Sequence, residues 1–316
     1  MKPLIVIAGP TASGKTGVAI ALAGLIRAEI ISADSRQVYR GLDIGTAKPS
    51  LDERNRADHH MLDLISPDES FSAGEYKRRV DDLLAALENR SACRAIILTG
   101  GTGLYLKAVL YGLWNGPRAD PGVRETLRLR EEASPGCLHG LLSEADPRSA
   151  ARIHPNDLPK IIRAMEVFLV TGKPLSHFHE EHRKNGSSRP VLFIGLKVDR
   201  LLLKERIDRR VDAMIAGGWV EEVKKLLAQG YHEKHSGMKS LGYGTLCACA
   251  EGKISLPEAV SRIKQETRQY AKRQMTWFNA DPNIEWMDPL DPEFMGNLLK
   301  RVGEFEASLN PRLAAH

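Results

Sequence analysis

A chain of 316 residues, with 42% hydrophobic and 27% charged side chains, can bury a substantial core and has room for two domains. Its composition is that of an ordinary globular protein, and its formal net charge of +5 permits a polyanionic partner without demonstrating one. Four sparse cysteines, no apolar stretch near the ~20 residues of a membrane span and a short N-terminal apolar run argue against a disulfide scaffold, a membrane protein and a secreted one. Cys247-x-Cys249 lacks a second Cys or His pair at zinc spacing, so free thiols in a reducing, cytoplasmic setting are expected.

The first hundred residues alternate strand and helix signals. Leu4–Ala8 reads as a strand and is followed at once by Gly9-Pro10-Thr11-Ala12-Ser13-Gly14-Lys15-Thr16, which fills G-x-x-x-x-G-K-[ST] at every fixed position. A helix is expected over Lys15–Ala28. Strand, glycine loop and helix in that order form an anion site: backbone N–H groups turn inward and the helix start adds about half a positive charge. Lys15 would reach terminal phosphate oxygens and Thr16 could hold a magnesium ion. The motif says phosphate, in a nucleotide or another diphosphate, without saying which. Glu29–Ala33 is the next strand and ends at Asp34; Gly74–Glu88 has helical spacing; Arg94–Thr99 is a buried strand closed by Gly100-Gly101. This alternation predicts an α/β fold, a P-loop-like parallel sheet flanked by helices. The phosphate loop, Asp34 and Gly100–Thr102 all follow strand ends, so they are expected to meet in one crevice.

From about Gly116 to Arg189 the apolar strand runs disappear. Turn-rich segments at 115–121 and 187–190 bracket four helical patterns: Val123–Glu132, Cys137–Glu144, Pro147–Ile153 and Leu158–Val170. The pattern predicts an all-helical domain, 117–188, inserted into a core made of 1–116 and 189–316. Val191–Leu196 returns as a buried strand, followed by helices at Arg200–Ala216, Val220–Gln229 and Leu256–Phe278 and a frayed tail after about Ser308.

Asp34 beside a phosphate site has three readings: magnesium ligand, general base, or cap of the next turn. Thr102 offers a hydroxyl at a glycine-rich edge. Arg206 and Arg210 lie four apart on one helix face, where they either clamp phosphate or form a solvated basic face. The helix near the end carries Arg262, Lys264, Arg268, Lys272 and Arg273 against the single acid Glu266, a face suited to a nucleic-acid backbone or simply to water. One absence is informative. The strand ending at Thr99 runs into Gly-Gly-Thr where a P-loop hydrolase usually has a magnesium-binding Asp, so the loop is expected to hold a diphosphate that is not being hydrolysed.

The ordered set GPTASGKT, ADSRQVYRGLDIGTAKPS, HHMLDL, FSAGEY, GGTGLYLKAVLYGL, RIHPNDLPKIIRAMEVFLVTGKPLS, RIDRRVDAMIAGGWVEEV and TRQYAKRQMTWF, spanning Pro3 to Phe278, resembles the tRNA dimethylallyltransferase family, bacterial type. The resemblance implies transfer of a dimethylallyl group from dimethylallyl diphosphate to N6 of an adenosine just 3′ of a tRNA anticodon. It implies that Gly9–Thr16 hold the diphosphate with Mg2+, that Lys15 and Arg206 or Arg210 neutralise its charge, and that Thr102 contacts the bridging oxygen. Asp34 would accept the N6 proton, with Ser35, Arg36 and Gln37 near the flipped base. Pro159, Lys160, Ile161, Ile162 and Arg163 would contact the anticodon stem-loop, joined by Arg268, Lys272 and Arg273. No membrane partner is implied, and a monomer is expected. Two departures stand out: Leu158-Pro159 replaces more polar family residues, and Gly244-Thr245 stand where the family usually has a lysine and a glutamate. A small-molecule kinase, a prenyltransferase acting on free adenine nucleotides, and a non-catalytic RNA-binding P-loop module are the competing readings.

Overall fold

The computed structural model describes residues 1–114, 116–184 and 189–309, with no side chain described at 182–184. Asn115, Ser187 and Ser188 of the turn-rich segments and the tail from residue 310 lie outside the described residues. In chain order the elements are β1 (Leu4–Ala8), α1 (Lys15–Ile26), β2 (Ala28–Ser32), α2 (Leu51–Arg56), β3 (His59–His60), α3 (Ala73–Glu88), β4 (Ala95–Gly100) and α4 (Gly103–Tyr111). There follow α5 (Pro121–Ala133), α6 (Cys137–Ala145), α7 (Pro147–Ala150), α8 (Leu158–Thr171) and α9 (Leu175–Lys184). The chain then runs through β5 (Val191–Leu196), α10 (Arg200–Ala216), α11 (Trp219–Ala228), α12 (Tyr243–Ala250), α13 (Leu256–Phe278), β6 (Glu285–Met287) and α14 (Phe294–Leu309).

Six parallel strands form one sheet in the order β3-β2-β4-β1-β5-β6. Period-two alternation sends Ile5, Ile7, Ile30 and Ile97 to one face, where they meet Ala19, Leu22 and Ala23 of α1 and Phe294, Leu298 and Val302 of α14. Leu4, Val6, Ile31, Ile96 and Leu98 point the other way and are also buried, as a parallel sheet covered on both faces requires. Each such side chain contributes about 1.5–3 kcal/mol by leaving water. Helix α1 stops earlier than expected. Arg27 takes a left-handed conformation, φ 54°, with its N–H on the Ala23 carbonyl, and Ala28 opens β2 instead of closing the helix.

The chain divides into two compact units, Met1–Leu110 with Arg189 onward, and Tyr111–Ser188; the first break lies ahead of the 116/117 division expected from the turn-rich segment. In the first unit a second cluster joins Val38, Tyr39, Leu42 and Ile65 to Trp219, Val223, Tyr243, Leu246 and Ile263. The segment that follows Asp34 is therefore packed against α11, α12 and α13. The helical unit has its own core, in which Leu127, Leu138, Leu142, Ile161, Ile162 and Met165 are buried.

Candidate active site

The strand order puts β4 between β1 and β2, so the segments leaving their C-terminal ends are neighbours. Thr99 of β4 stands in register with both Ile7 of β1 and Ser32 of β2. Two residues beyond that level lie Gly9, Asp34 and Gly101. The Ala33 N–H donates to the Thr99 carbonyl at 2.7 Å and the Thr102 N–H to the Ala33 carbonyl at 3.1 Å. Parallel strands spaced about 4.8 Å apart thus bring the phosphate loop, Asp34 and Thr102 to one sheet edge.

The loop is built to leave charge unanswered. Gly14 caps α1 with φ 94° and without a side-chain hydrogen bond, so the first N–H groups of the helix face outward unpaired by any cap. The Ser13 side chain is fully buried and its Oγ has no partner. The stem of Lys15 keeps some exposure while its ammonium is enclosed, donating to the Pro10 carbonyl at 2.7 Å. Burial, then the neighbouring Arg210, push Lys15 down to about 7, with Asp34 acting in the opposite sense. Arg210 is itself pushed down by burial, opposed by Asp34 and Glu53. Lys15, Arg210 and Asp34 therefore feel one another. Arg206, one turn earlier on α10, is half-buried and shares no described hydrogen bond or ion pair with the loop. Of the two arginines, Arg210 is the one electrically coupled to Lys15.

Among the described residues no group of three or more His, Cys, Asp or Glu could hold a metal. The Thr16 hydroxyl lies in the first turn of α1, behind Lys15. That donor set fits a Mg2+ whose remaining ligands are diphosphate oxygens and water, the usual habit of this ion.

Asp34 Oδ1 accepts the Arg36 N–H at 2.8 Å, which realises the turn-capping reading for one carboxylate oxygen and leaves Oδ2 free of described hydrogen bonds. Thr102 Oγ1 accepts the Ser35 N–H at 3.0 Å and lies 3.3 Å from Ser35 Oγ. Arg36 is held by the Ser236 carbonyl at 3.2 Å. Gln37 is buried: its Oε1 accepts from Ser32 Oγ at 2.9 Å and its amide donates to the Thr46 and Ala47 carbonyls. Its polar atoms thus hold the loop in place.

Two further residues of α13, Tyr270 and Gln274, stand at the site. Tyr270 lies near Thr102, and burial, then Asp34, push its phenol up to about 12 against the pull of Arg36, Thr102 and Arg273. Gln274 is buried between the phosphate loop and Gly101. Gln274 lies on the buried face of α13, and the half-buried Tyr270 stands one turn before it. Arg268 is bound by Asp208 of α10 through three contacts of 2.6–2.9 Å, Lys272 is exposed, and the exposed Arg273 lies 5.8 Å from the Tyr270 ring centre.

In the helical unit, Ile161 and Ile162 face its core. Pro159 sits in the first turn of α8 and Lys160 pairs with Asp157 at 2.5 Å. Arg163 binds the fully buried Glu166 at 2.5 Å and the Pro117 carbonyl at 2.8 Å, and lies 5.1 Å from the Trp114 ring centre. Burial opposes ionisation of Glu166, but Arg124, Arg163 and the Asp120 N–H overcome it and bring the carboxyl down to about 2. No helix among the described residues is long and apolar enough to cross a membrane.

The model of the IPP transferase family matches residues 37–281. A tRNA dimethylallyltransferase of Geobacter metallireducens is 47% identical over 289 residues, covering 90% of this chain and 92% of its own. A tRNA dimethylallyltransferase 2 of Syntrophus aciditrophicus is 46% identical, covering 96% of each chain. Among solved structures, the full-length tRNA isopentenylpyrophosphate transferase of Bacillus halodurans superposes with a TM-score of 0.71 at 36% identity and complete coverage of both chains. A eukaryotic dimethylallyltransferase captured acting on tRNA gives 0.83 at 26% identity, covering 99% of this chain and 80% of that one.

Proposed function

The chain belongs to the IPP transferase family, and we propose that it transfers a dimethylallyl group from dimethylallyl diphosphate to N6 of the adenosine 3′ of the anticodon in tRNA. The observation that carries this reading is the convergence of three strand ends on an enclosed ammonium that has no carboxylate ion pair among the described residues, with a carboxylate and a hydroxyl nearby. A phosphate loop designed for hydrolysis would have an acid at the end of β4; here the position is Gly-Gly-Thr, which suits a diphosphate that leaves intact.

In the proposed reaction the N6 lone pair attacks C1 of the prenyl group, the C1–O bond breaks, and its electrons leave with the diphosphate. The N6 proton passes to Asp34, a general-base contribution of about 10²–10⁴-fold. Lys15, Arg210 and the start of α1 stabilise the charge that builds on the diphosphate. The Thr102 hydroxyl contacts the bridging oxygen. Mg2+, held by Thr16 and the substrate, would supply further charge neutralisation. The adenine flips from its stack toward Ser35 and Arg36, at a cost of a few kcal/mol. Lys160, Lys272 and Arg273 offer their charge to the RNA, with the enzyme acting as a cytoplasmic monomer.

The test is a transfer assay with Mg2+ and labelled dimethylallyl diphosphate, offering unmodified tRNA and AMP in parallel, with Asp34→Ala as control. Label on tRNA that falls by at least about 10²-fold in the variant supports the reading and the base assignment. Label on AMP alone moves the enzyme to free nucleotides. Absence of label on both, with phosphoryl transfer from ATP, returns the loop to a kinase.

A further inference from the structure

We propose that Gln274 is a positioning residue that fixes the distance between the diphosphate loop and Thr102. The inference rests on the prenyl-transfer reading above. Gln274 belongs to the buried face of α13, whose other members are Ala259, Ile263, Thr267, Ala271 and Phe278. A polar amide in that stripe is costly unless both of its ends are paired. Both are. Oε1 accepts the Thr11 N–H at 2.8 Å, and Nε2 donates to the Gly101 carbonyl at 2.9 Å. The first partner lies in the loop after β1 and the second in the loop after β4, so a single side chain on a third element ties the two together.

The chemistry leaves little freedom in the choice of residue. The Thr11 partner is a donor and the Gly101 partner an acceptor, so the amide has one workable orientation. Glutamate has no proton for the carbonyl, lysine and arginine have no acceptor for the N–H, methionine has neither group, and asparagine is one methylene short. The fit is also close in space: a Cβ on Gly101 would stand 2.2 Å from Gln274 Nε2. Thr102 follows Gly101 directly, and Lys15 closes the loop that Thr11 helps to open. If Lys15 grips the terminal phosphate while Thr102 meets the bridging oxygen, both act on one diphosphate, and their separation must hold within about 0.5 Å. Gln274 supplies that constraint without touching substrate.

The experiment is a double-mutant cycle with Thr102→Ala, using the full chain, tRNA and dimethylallyl diphosphate. Gln274→Met keeps the volume and removes both hydrogen bonds. It should lower kcat about 10²-fold, leave the KM for tRNA within about two-fold, and cost under about three-fold more once Thr102 is already alanine. Gln274→Glu keeps the Thr11 bond, opposes an oxygen to the Gly101 carbonyl, and should lower kcat by a comparable factor; it serves as the second probe if the methionine variant does not fold. A kcat within about two-fold of wild type in a folded variant overturns the proposal. So does a full, additive loss in the Thr102→Ala background, which would mark a general structural role. Absence of transfer by the wild-type enzyme would instead overturn the reading on which the inference rests.

Discussion

Lys15 and Lys48 both bring an ammonium into the first unit, where they meet contrasting surroundings. The Lys48 side chain is 1% exposed and its Nζ is held by Asp43 at 2.5 Å, Asp63 at 2.6 Å and the Tyr39 carbonyl at 2.8 Å. Arg54 completes the set by binding the second oxygen of Asp63 at 3.0 Å. Lys15 has the Pro10 carbonyl, no carboxylate ion pair among the described residues, and a second cation, Arg210, nearby. Lys48 is satisfied by the protein itself and serves to hold the 39–48 loop. Lys15 is left short of negative charge, and an enclosed cation in that state is the mark of a site that expects an anion from outside.

The contrast breaks most sharply on substitution. Lys15→Met should lower kcat/KM by about 10²–10³-fold, the loss of one preorganised group on the leaving charge. It should leave the thermal midpoint unchanged or raised, since a desolvated charge is removed. The sign follows from linkage. The native pKa of about 7 lies below the ordinary 10.5, so over the window between them the unfolded chain holds the proton more tightly. This group therefore costs the ligand-free protein stability at low pH, and the cost fades as pH rises through that window. Diphosphate binding should restore the proton. Calorimetric titration with inorganic diphosphate at about pH 8, in buffers of different ionisation enthalpy, should show net proton uptake greater in wild type than in Lys15→Met by a difference approaching one proton. Equal uptake by both proteins would remove Lys15 from the anion site.

Lys48→Met should show the opposite pattern. Asp43 would lose its cation and Asp63 would keep only Arg54, but both keep contact with water, so the loss is about 1–3 kcal/mol by urea unfolding and below that of a fully buried pair. The kcat of the folded fraction should stay within a few-fold of wild type. A variant that unfolds at the wild-type urea concentration would show that the cage is ornamental and that the two lysines differ less than their contacts suggest.

The same division between satisfied and unsatisfied groups explains what the sequence could reveal. The phosphate loop was legible because its chemistry is local: eight consecutive residues form it, behind an apolar strand. Long apolar or amphipathic runs were legible too, so β1, β5, α10 and α13 have the bounds that their patterns predict. Strand β6 is three residues at the sheet edge, and its identity comes from pairing with β5, a partner distant in the chain. Helix α12 contains Gly244-Thr245, where the sequence departs from the family pattern, and Tyr243 anchors it by donating to Glu222 Oε1 at 2.6 Å. Gln274 was hidden for a like reason. Its two partners lie 263 and 173 residues away in sequence, and neither is a side chain. Arg163 and Gln37 looked like groups waiting for RNA, but their partners, Glu166 and the 46–47 carbonyls, can be found only in space.

On the basic face of α13 paired and unpaired cations stand side by side, and their removal has milder consequences. Counted along the sequence, Arg262–Arg273 hold five basic residues against one acid, and all five looked available. In the fold Arg262 pairs with Glu258 at 2.6 Å, Lys264 with Asp212 at 2.7 Å, and Arg268 with Asp208 at 2.6 Å. Two of these acids sit on α10, so much of the apparent surplus joins the two helices. Such pairs are partly exposed and contribute less than about 1 kcal/mol each, yet they set where the charge points. Lys272 has no described partner and Arg273 rests near Tyr270 beside the site. Arg268→Gln should therefore change the KM for tRNA by less than about two-fold and leave its salt dependence intact, while Lys272→Gln should raise KM and reduce the log–log salt slope by about one. If the slope falls equally in both variants, the Arg268–Asp208 pair opens when RNA binds, and Arg268 joins Lys15 among the charges that the free protein holds in reserve.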